Sequence, residues 1–220
     1  SPFSGGWSSP DLRSLQPPPK HPSAYDEPQE ISMPLTTLDP KTALIVIDLQ
    51  KGIVALAARN GVDDVVKKAR ALADVFRARQ LPVVLVNVAD SAPGRTERPR
   101  LSAPFPDGWT DLLPELGQQP TDITVTKRTW GAFASTDIEQ RLRALAVTQV
   151  VVVGVATGTG VEATARQAYE AGFNVTLATD AMTDLRPEAH DYSIANVFPR
   201  LGETGTTQEI IDLMNRSAHA

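Results

Sequence analysis

Runs of consecutive apolar residues alternate along this chain with segments whose apolar residues recur at helical spacing. Residues 43–48 and 83–88 form two such runs, each long enough for one buried strand. Between them, the apolar residues of 62–79 fall on one face of a helix. The first part of the pattern therefore predicts a strand, an amphipathic helix and a second strand.

The same alternation continues through the rest of the sequence. Further strands are predicted at 123–125, 150–153 and 175–178. Further helices are predicted at 136–146 and 160–171, from Pro187 onward, and after a capping box formed by Thr206 and Glu209. This rhythm predicts an α/β fold with three layers, α/β/α, around a mostly parallel, Rossmann-like sheet. Ligands of such sheets bind beyond the carboxyl ends of the strands, where Asp48, Val88 and Gly154 are expected.

The distribution of proline predicts two parts of the chain. Residues 1–40 hold nine of the eighteen prolines, which predicts an extended arm rather than a folded unit. Residues 41–220 are expected to form a single domain. Two origins of residues 1–32 stay open: a native arm, or residues encoded upstream of a natural start at Met33.

Composition excludes several classes of function. A net charge of −5 argues against a nucleic-acid or anionic-membrane partner, and no apolar run approaches the ~20 residues of a membrane span. No signal peptide is visible at the start, so we expect a soluble, cytoplasmic protein. The chain has no cysteine, and its histidines are His21, His190 and His219. We therefore expect neither a thiol nucleophile nor a metal or other cofactor.

Asp48 ends an otherwise apolar predicted strand, and Lys127 follows the strand predicted at 123–125. A carboxylate in the position of Asp48 is costly unless it is paired or functional, although it can also cap the next turn. Lys127 begins the segment Lys-Arg-Thr-Trp-Gly-Ala-Phe at 127–133. Its ammonium group is either solvated or buried against Asp48. Trp130 and Phe133 follow in the same segment, and core packing is the favoured role of Phe133.

The segment 154–160 is a glycine-rich turn between a predicted strand and a predicted helix. The backbone N–H groups of such a turn can hold an anion or an oxyanion. The Gly-Lys-Thr/Ser ending of a phosphate-binding loop is missing here, which argues against a nucleotide site.

Together, these three motifs resemble those of the isochorismatase-like hydrolase superfamily, in the same order and on the same elements. The resemblance covers about residues 40–216. It implies that Asp48 and Lys127 are catalytic and that Gln50 helps to orient the acid. It also implies a cis peptide bond between Val155 and Ala156. The implied substrate-binding residues are Gln50, Trp130, Phe133, Val155, Ala156, Thr159 and Gly160.

Most members of this superfamily carry a catalytic cysteine at the position of Gly160, where it attacks an amide carbonyl. Isochorismatases proper resemble this chain in having glycine there, and they cleave a vinyl ether by proton donation. The resemblance therefore implies a hydrolase that acts on a small, carboxylate-bearing substrate, with Asp48 as the proton donor. A nearby Lys127 would lower the pKa of Asp48. We therefore expect substrate carboxylates to neutralise Lys127. Thr159 is disfavoured as a substitute nucleophile.

Two other functions stay open. The chain could be an inactive or altered cysteine-less relative of an amide or carbamoyl hydrolase, or a non-catalytic protein that binds a small ligand. The resemblance further implies a homodimer or homotetramer. His190 is expected to form a structural hydrogen bond, and Arg166 is expected to brace the fold through Glu162 or Asp180.

Overall fold

A computed structural model describes residues 35–57, 61–100 and 102–217, apart from the side chain of Ser217. Its sheet has six strands, all parallel, in the order β3-β2-β1-β4-β5-β6. The strands are β1 Thr42–Ile47, β2 Val83–Val88, β3 Ile123–Lys127, β4 Gln149–Val155, β5 Asn174–Thr183 and β6 Glu203–Gly205. The α-helices are α1 Lys51–Ala57, α2 Val62–Ala78, α3 Ile138–Ala144, α4 Glu162–Glu170, α5 Pro187–Tyr192 and α6 Thr207–Ser217.

The two central strands, β1 and β4, are buried along their whole length. Alternate side chains of a strand point to opposite faces, so both faces of this sheet must be covered. Ile45 contributes to the core that α3 and α4 cover. Its neighbour Leu44 contributes to the core that α2 and α6 cover on the other face. The predicted three-layer α/β/α fold is confirmed.

The site lies where the direction of strand order reverses. From β1 the chain adds β2 and β3 on one side, and then β4, β5 and β6 on the other. Ile47 at the end of β1 is in register with Gly154 near the end of β4. Parallel sheets bind ligands at such a switch point. The fold therefore opens its crevice between the carboxyl ends of β1 and β4.

The structure departs from the predicted elements where short segments lack a clear signal. Helix α1 was not predicted, because it has seven residues and carries a glycine, Gly52, in its first turn. Strand β6 has three residues, too few for a pattern. Strand β5 extends past the predicted 175–178. The prediction stopped there because the second half of the strand contains the polar Thr179 and Asp180. The helix predicted at 160–171 begins with a π-helical turn, Thr157–Val161.

Other features of the prediction lie outside what the structure describes. Residues 1–34 of the predicted arm are outside the described residues. The arm's origin and the homodimer or homotetramer stay predictions. Within the ranges that the structure describes, no helix is long and apolar enough to cross a membrane.

Gly154 offers a test of how tightly β4 packs on β1. Its φ is 121°, and a Cβ there would overlap the carbonyl oxygen of Ile47. We expect Gly154→Ala to lower the free energy of unfolding by more than ~4 kcal/mol, because backbone cannot yield as a side chain can. Gly172→Ala is the matched control: its φ is 82° and its Cβ would meet nothing within 4 Å. It should cost about 1–2 kcal/mol. Urea unfolding of both variants measures the difference, and equal losses would contradict this packing.

Candidate active site

Asp48 is the first residue after β1, and its position is set by both neighbouring strands. Its backbone N–H donates to the carbonyl oxygen of Val86 in β2 at 2.9 Å. Its φ is 53°, in the left-handed region, which Asp tolerates better than most residues. The side chain is buried, with 5% of the residue exposed. The carboxylate is therefore held at the crevice and not in bulk water.

Lys127 ends β3 and pairs with Asp48 although β2 lies between their strands. Its Nζ lies 2.7 Å from Asp48 Oδ2, and both side chains are almost fully buried. The same Nζ donates to the carbonyl oxygens of Trp130 at 2.8 Å and Thr129 at 3.2 Å. The other carboxylate oxygen, Asp48 Oδ1, finds no hydrogen-bond partner within the described part of the chain. The two residues predicted to be catalytic are thus brought together, with one acceptor left over.

Burial decides the protonation of this pair. Desolvation raises the pKa of Asp48 to about 6, against the opposing charge and hydrogen bond of Lys127. This reverses the expectation that Lys127 would hold the pKa low until a substrate arrives. Because the pKa of Asp48 is higher in the folded protein than in the unfolded chain, protonation of Asp48 favours the folded state. The stability that this protonation contributes is lost as the pH rises through about 6.

Gln50 braces the site from behind. Its amide is fully buried, donates to the carbonyl oxygen of Val88 at 3.0 Å and accepts from the Val88 N–H at 2.7 Å. This pair of hydrogen bonds ties the segment after β1 to the end of β2. Gln50 does not line the cavity described below, and its role in binding substrate stays a prediction.

The turn after β4 carries the position of the family's nucleophile. The peptide bond between Val155 and Ala156 is cis, as the resemblance implied. A Cβ on Gly160 would lie 3.1 Å from Asp48 Oδ2 and 3.0 Å from Ile47 Cγ2. Gly160 does not have a positive φ, so its backbone would accept another residue. A side chain at position 160 would therefore face the carboxylate of Asp48, and its neighbours would have to move by a few tenths of an ångström to accept it.

A cavity of about 230 Å³ lies beside Gly160. It brings together seven of the nine predicted site residues: Asp48, Lys127, Trp130, Val155, Ala156, Thr159 and Gly160. It also includes Val88, which was expected at this crevice, and six residues that the sequence analysis did not assign to the site: Ile53, Leu56, Asp90, Ser91, Thr129 and Leu185. Asp90 and Ser91 follow the carboxyl end of β2. Their place in the sequence could therefore have indicated that they lie at the crevice. Ile53 and Leu56 belong to α1, which was not predicted.

Phe133 does not line this cavity. Its ring packs against Phe173 with 5.9 Å between ring centroids, and it lies against the core that α3 and α4 cover. This is the core packing that was favoured for it. Trp130 lies at the cavity rim with 66% of its surface exposed.

A polar network behind the turn fixes it to the segment after β5. Thr157 Oγ1 shares a 2.8 Å hydrogen bond with Nδ1 of His190. The N–H of Gly158 donates to Asp184 Oδ2 at 2.8 Å. Ser193 donates to the Glu162 carboxylate at 2.6 Å. His190 thus makes the structural hydrogen bond expected of it.

Arg166 and Asp180 have separate partners. Arg166 pairs with Glu162 at 2.9 Å, one of the two acids expected for it. Asp180 instead accepts from the N–H of Thr207, at the start of α6, and lies 3.2 Å from the ammonium group of Lys68. Across the described ranges, no group of three or more His, Asp or Glu residues is placed to hold a metal ion.

Comparison with known proteins identifies the family. Residues 42–209 match the family model described as Isochorismatase domain. The isochorismatase family protein YwoC of Bacillus subtilis is 40% identical over 179 residues, covering 78% of this chain and 93% of YwoC. A solved isochorismatase family protein from Burkholderia thailandensis has a TM-score of 0.77 and 38% identity, covering 81% of this chain and 98% of that one. This protein belongs to the isochorismatase-like hydrolase superfamily.

A further relative has a named activity. Nicotinamidase 3 of Arabidopsis thaliana is 30% identical over 164 residues, covering 70% of this chain and 79% of the relative. The family that the motifs indicated is therefore confirmed, and with it the broad assignment as a hydrolase. The bond cleaved and the roles of single residues stay predictions.

The balance between burial and Lys127 can be measured directly. We expect the Asp48 carboxyl to titrate at about 6 in the parent protein. In Lys127→Gln its pKa should rise further, because the group that lowers it is gone. Carboxyl ¹³C NMR of both proteins measures this. Lys67→Gln removes the exposed partner of Asp64 and should leave Asp48 unchanged. A lower pKa for Asp48 in Lys127→Gln would contradict this view of the pair.

Proposed function

We propose that this protein is a hydrolase in which Asp48 donates a proton to a small substrate, without a covalent nucleophile. The observation that carries the proposal is the state of Asp48: buried, with a pKa raised to about 6, and with Oδ1 unpartnered in the described structure. A general acid works best when its pKa lies near the working pH. Gly160 lines the cavity beside Asp48 and brings no side chain that could act as a nucleophile.

Vinyl ether hydrolysis is a reaction that these groups can perform. The proton of Asp48 adds to the terminal carbon of the vinyl group, whose π electrons form the new C–H bond. Water then attacks the oxocarbenium carbon next to the ether oxygen and returns a proton to Asp48. The resulting hemiacetal or hemiketal collapses to a carbonyl compound and an alcohol. In this scheme one positioned carboxyl donates the proton and later takes one back.

The size of the cavity limits the substrate to about one ring. An engineered apolar cavity of ~150 Å³ holds a benzene molecule. The cavity over Gly160 has a volume of about 230 Å³, so it has room for a six-membered ring with small substituents. Its apolar walls include Val88, Val155 and Leu185.

The carboxylate expected on the substrate receives less support. That expectation relied on an ammonium group free to bind it. Lys127 instead donates to Asp48, Thr129 and Trp130, which occupies all three of its N–H groups. We therefore propose vinyl ether hydrolysis without requiring a carboxylate on the substrate.

The dependence of rate on pH tests the role of Asp48. With phenyl vinyl ether, which releases acetaldehyde, kcat/KM should be constant below about 6 and fall tenfold per pH unit above it. Asp48→Asn should lose at least ~100-fold, because it removes the proton donor. Isochorismate, which would release pyruvate, serves as the carboxylate-bearing test compound. Full activity in Asp48→Asn, or a rate that rises with pH, rejects proton donation by Asp48.

An amide hydrolase that lacks its nucleophile is the second candidate. The observation that favours it is the position of a Cβ on residue 160, 3.1 Å from Asp48 Oδ2, where a thiol would have its base. The similarity to Nicotinamidase 3 adds to it.

Restoring the thiol tests this candidate. We expect Gly160→Cys to release ammonia from nicotinamide if the remaining site is an amide-hydrolase site. Gly160→Ala is the matched control, since it adds the Cβ without the thiol and should stay inactive. Equal inactivity of both variants on nicotinamide and on a small aliphatic amide would reject the candidate. If the parent also leaves every vinyl ether intact, a small-ligand binding protein is the remaining function.

A further inference from the structure

The charges that line the cavity do not suit an anion. Among its lining residues, all of them described, the charged ones are Asp48, Asp90 and Lys127. Lys127 has no N–H left for a ligand, because Asp48, Thr129 and Trp130 accept from all three. Asp48 is itself neutralised by Lys127. Among the lining residues, Asp90 is therefore the charged side chain left to attract a ligand.

Asp90 is the acid at the rim. Its Oδ1 accepts from the N–H of Ser91 at 2.8 Å. Its Oδ2 lies 3.8 Å from Arg128 Nη1, beyond hydrogen-bond distance, and the Arg128 side chain is 65% exposed. An ion pair of this length in water is weak. Oδ2 of Asp90 therefore keeps room for a closer donor from a ligand.

The rim also presents a large apolar surface to solvent. Trp130, Leu56 and Leu185 all line the cavity, and 66%, 59% and 49% of their respective surfaces are exposed. The face of an indole ring attracts cations through its quadrupole. A ring with a positive charge at one end would cover these side chains and meet Asp90 at the same time.

We propose that the cavity selects a single-ring ligand with a positively charged nitrogen, an ammonium or amidinium group, over a ring with a carboxylate. The charged nitrogen lies at the rim against Asp90 and the Trp130 ring. The opposite end of the ligand lies against the Asp48 carboxylate next to Gly160, where Oδ2 is 3.1 Å from the place of a Cβ on residue 160. The inference relies on the proposed function only for placing the substrate in this cavity.

Three probes of nearly equal shape test the charge preference without turnover: benzamidinium, benzamide and benzoate. Isothermal titration calorimetry should give benzamidinium a Kd about tenfold or more below that of benzoate, with benzamide between them. The difference should shrink in 1 M salt, because Asp90 is partly exposed. Benzoate binding as tightly as benzamidinium, or no measurable binding of any probe, overturns the proposal.

Variants locate the preference. Asp90→Asn should weaken benzamidinium about tenfold and leave benzamide within twofold. Asp137→Asn is the matched control, because Asp137 is an exposed acid paired with Arg141 and lies outside the cavity lining. Equal effects of the two variants on benzamidinium would also overturn the proposal.

Ring-matched vinyl ethers separate this inference from the proposed function. The pair is 4-(vinyloxy)benzylamine and 4-(vinyloxy)benzoate, each of which releases acetaldehyde on hydrolysis. Preference for the amine in both binding and turnover supports both proposals. A benzamidinium preference without any hydrolysis supports the ligand class and rejects the hydrolase. Faster turnover of the benzoate compound, lost in Asp48→Asn, supports the hydrolase and overturns the ligand class.

Discussion

The site depends on one buried ion pair, between the carboxylate of Asp48 and the ammonium group of Lys127. Removing two charges from water is costly, and their mutual attraction repays this only when other polar contacts are also made. Lys127 makes two such contacts, to the carbonyl oxygens of Thr129 and Trp130. Asp48 keeps one oxygen without a partner in the described residues, and burial raises its pKa. In the proposed mechanism, the raised pKa is what lets the buried carboxyl hold a proton that it can donate near neutral pH.

The sheet supplies this pair with its surroundings. The chain reverses strand order between β1 and β4, so Asp48 and the turn that carries Gly160 face each other at the switch point. A hydrogen bond from Gly158 to Asp184 and another between Thr157 and His190 hold the turn in place. With no side chain at residue 160, the cavity extends down to the carboxylate of Asp48. The same architecture that would orient a thiol thus leaves a pocket beside an acid.

The sequence was informative where residues repeat a pattern or carry a motif. Continuous apolar runs located β1 and β2, and the three motifs brought Asp48, Lys127 and Gly160 to one cavity. Long-range contacts left no such signal. Nothing local indicates that all three N–H groups of Lys127 are occupied, or that desolvation outweighs its charge at Asp48. Helix α1, which supplies Ile53 and Leu56 to the cavity, was too short to recognise.

A crystal structure of the Asp48→Asn variant with 4-(vinyloxy)benzylamine bound tests the central claim most directly. Proton donation over an empty nucleophile position requires the terminal vinyl carbon to lie next to the side chain of residue 48, above Gly160. The ammonium group should lie within hydrogen-bond distance of Asp90 at the rim. A ligand bound elsewhere on the protein, or one with its vinyl group turned away from residue 48, would contradict it.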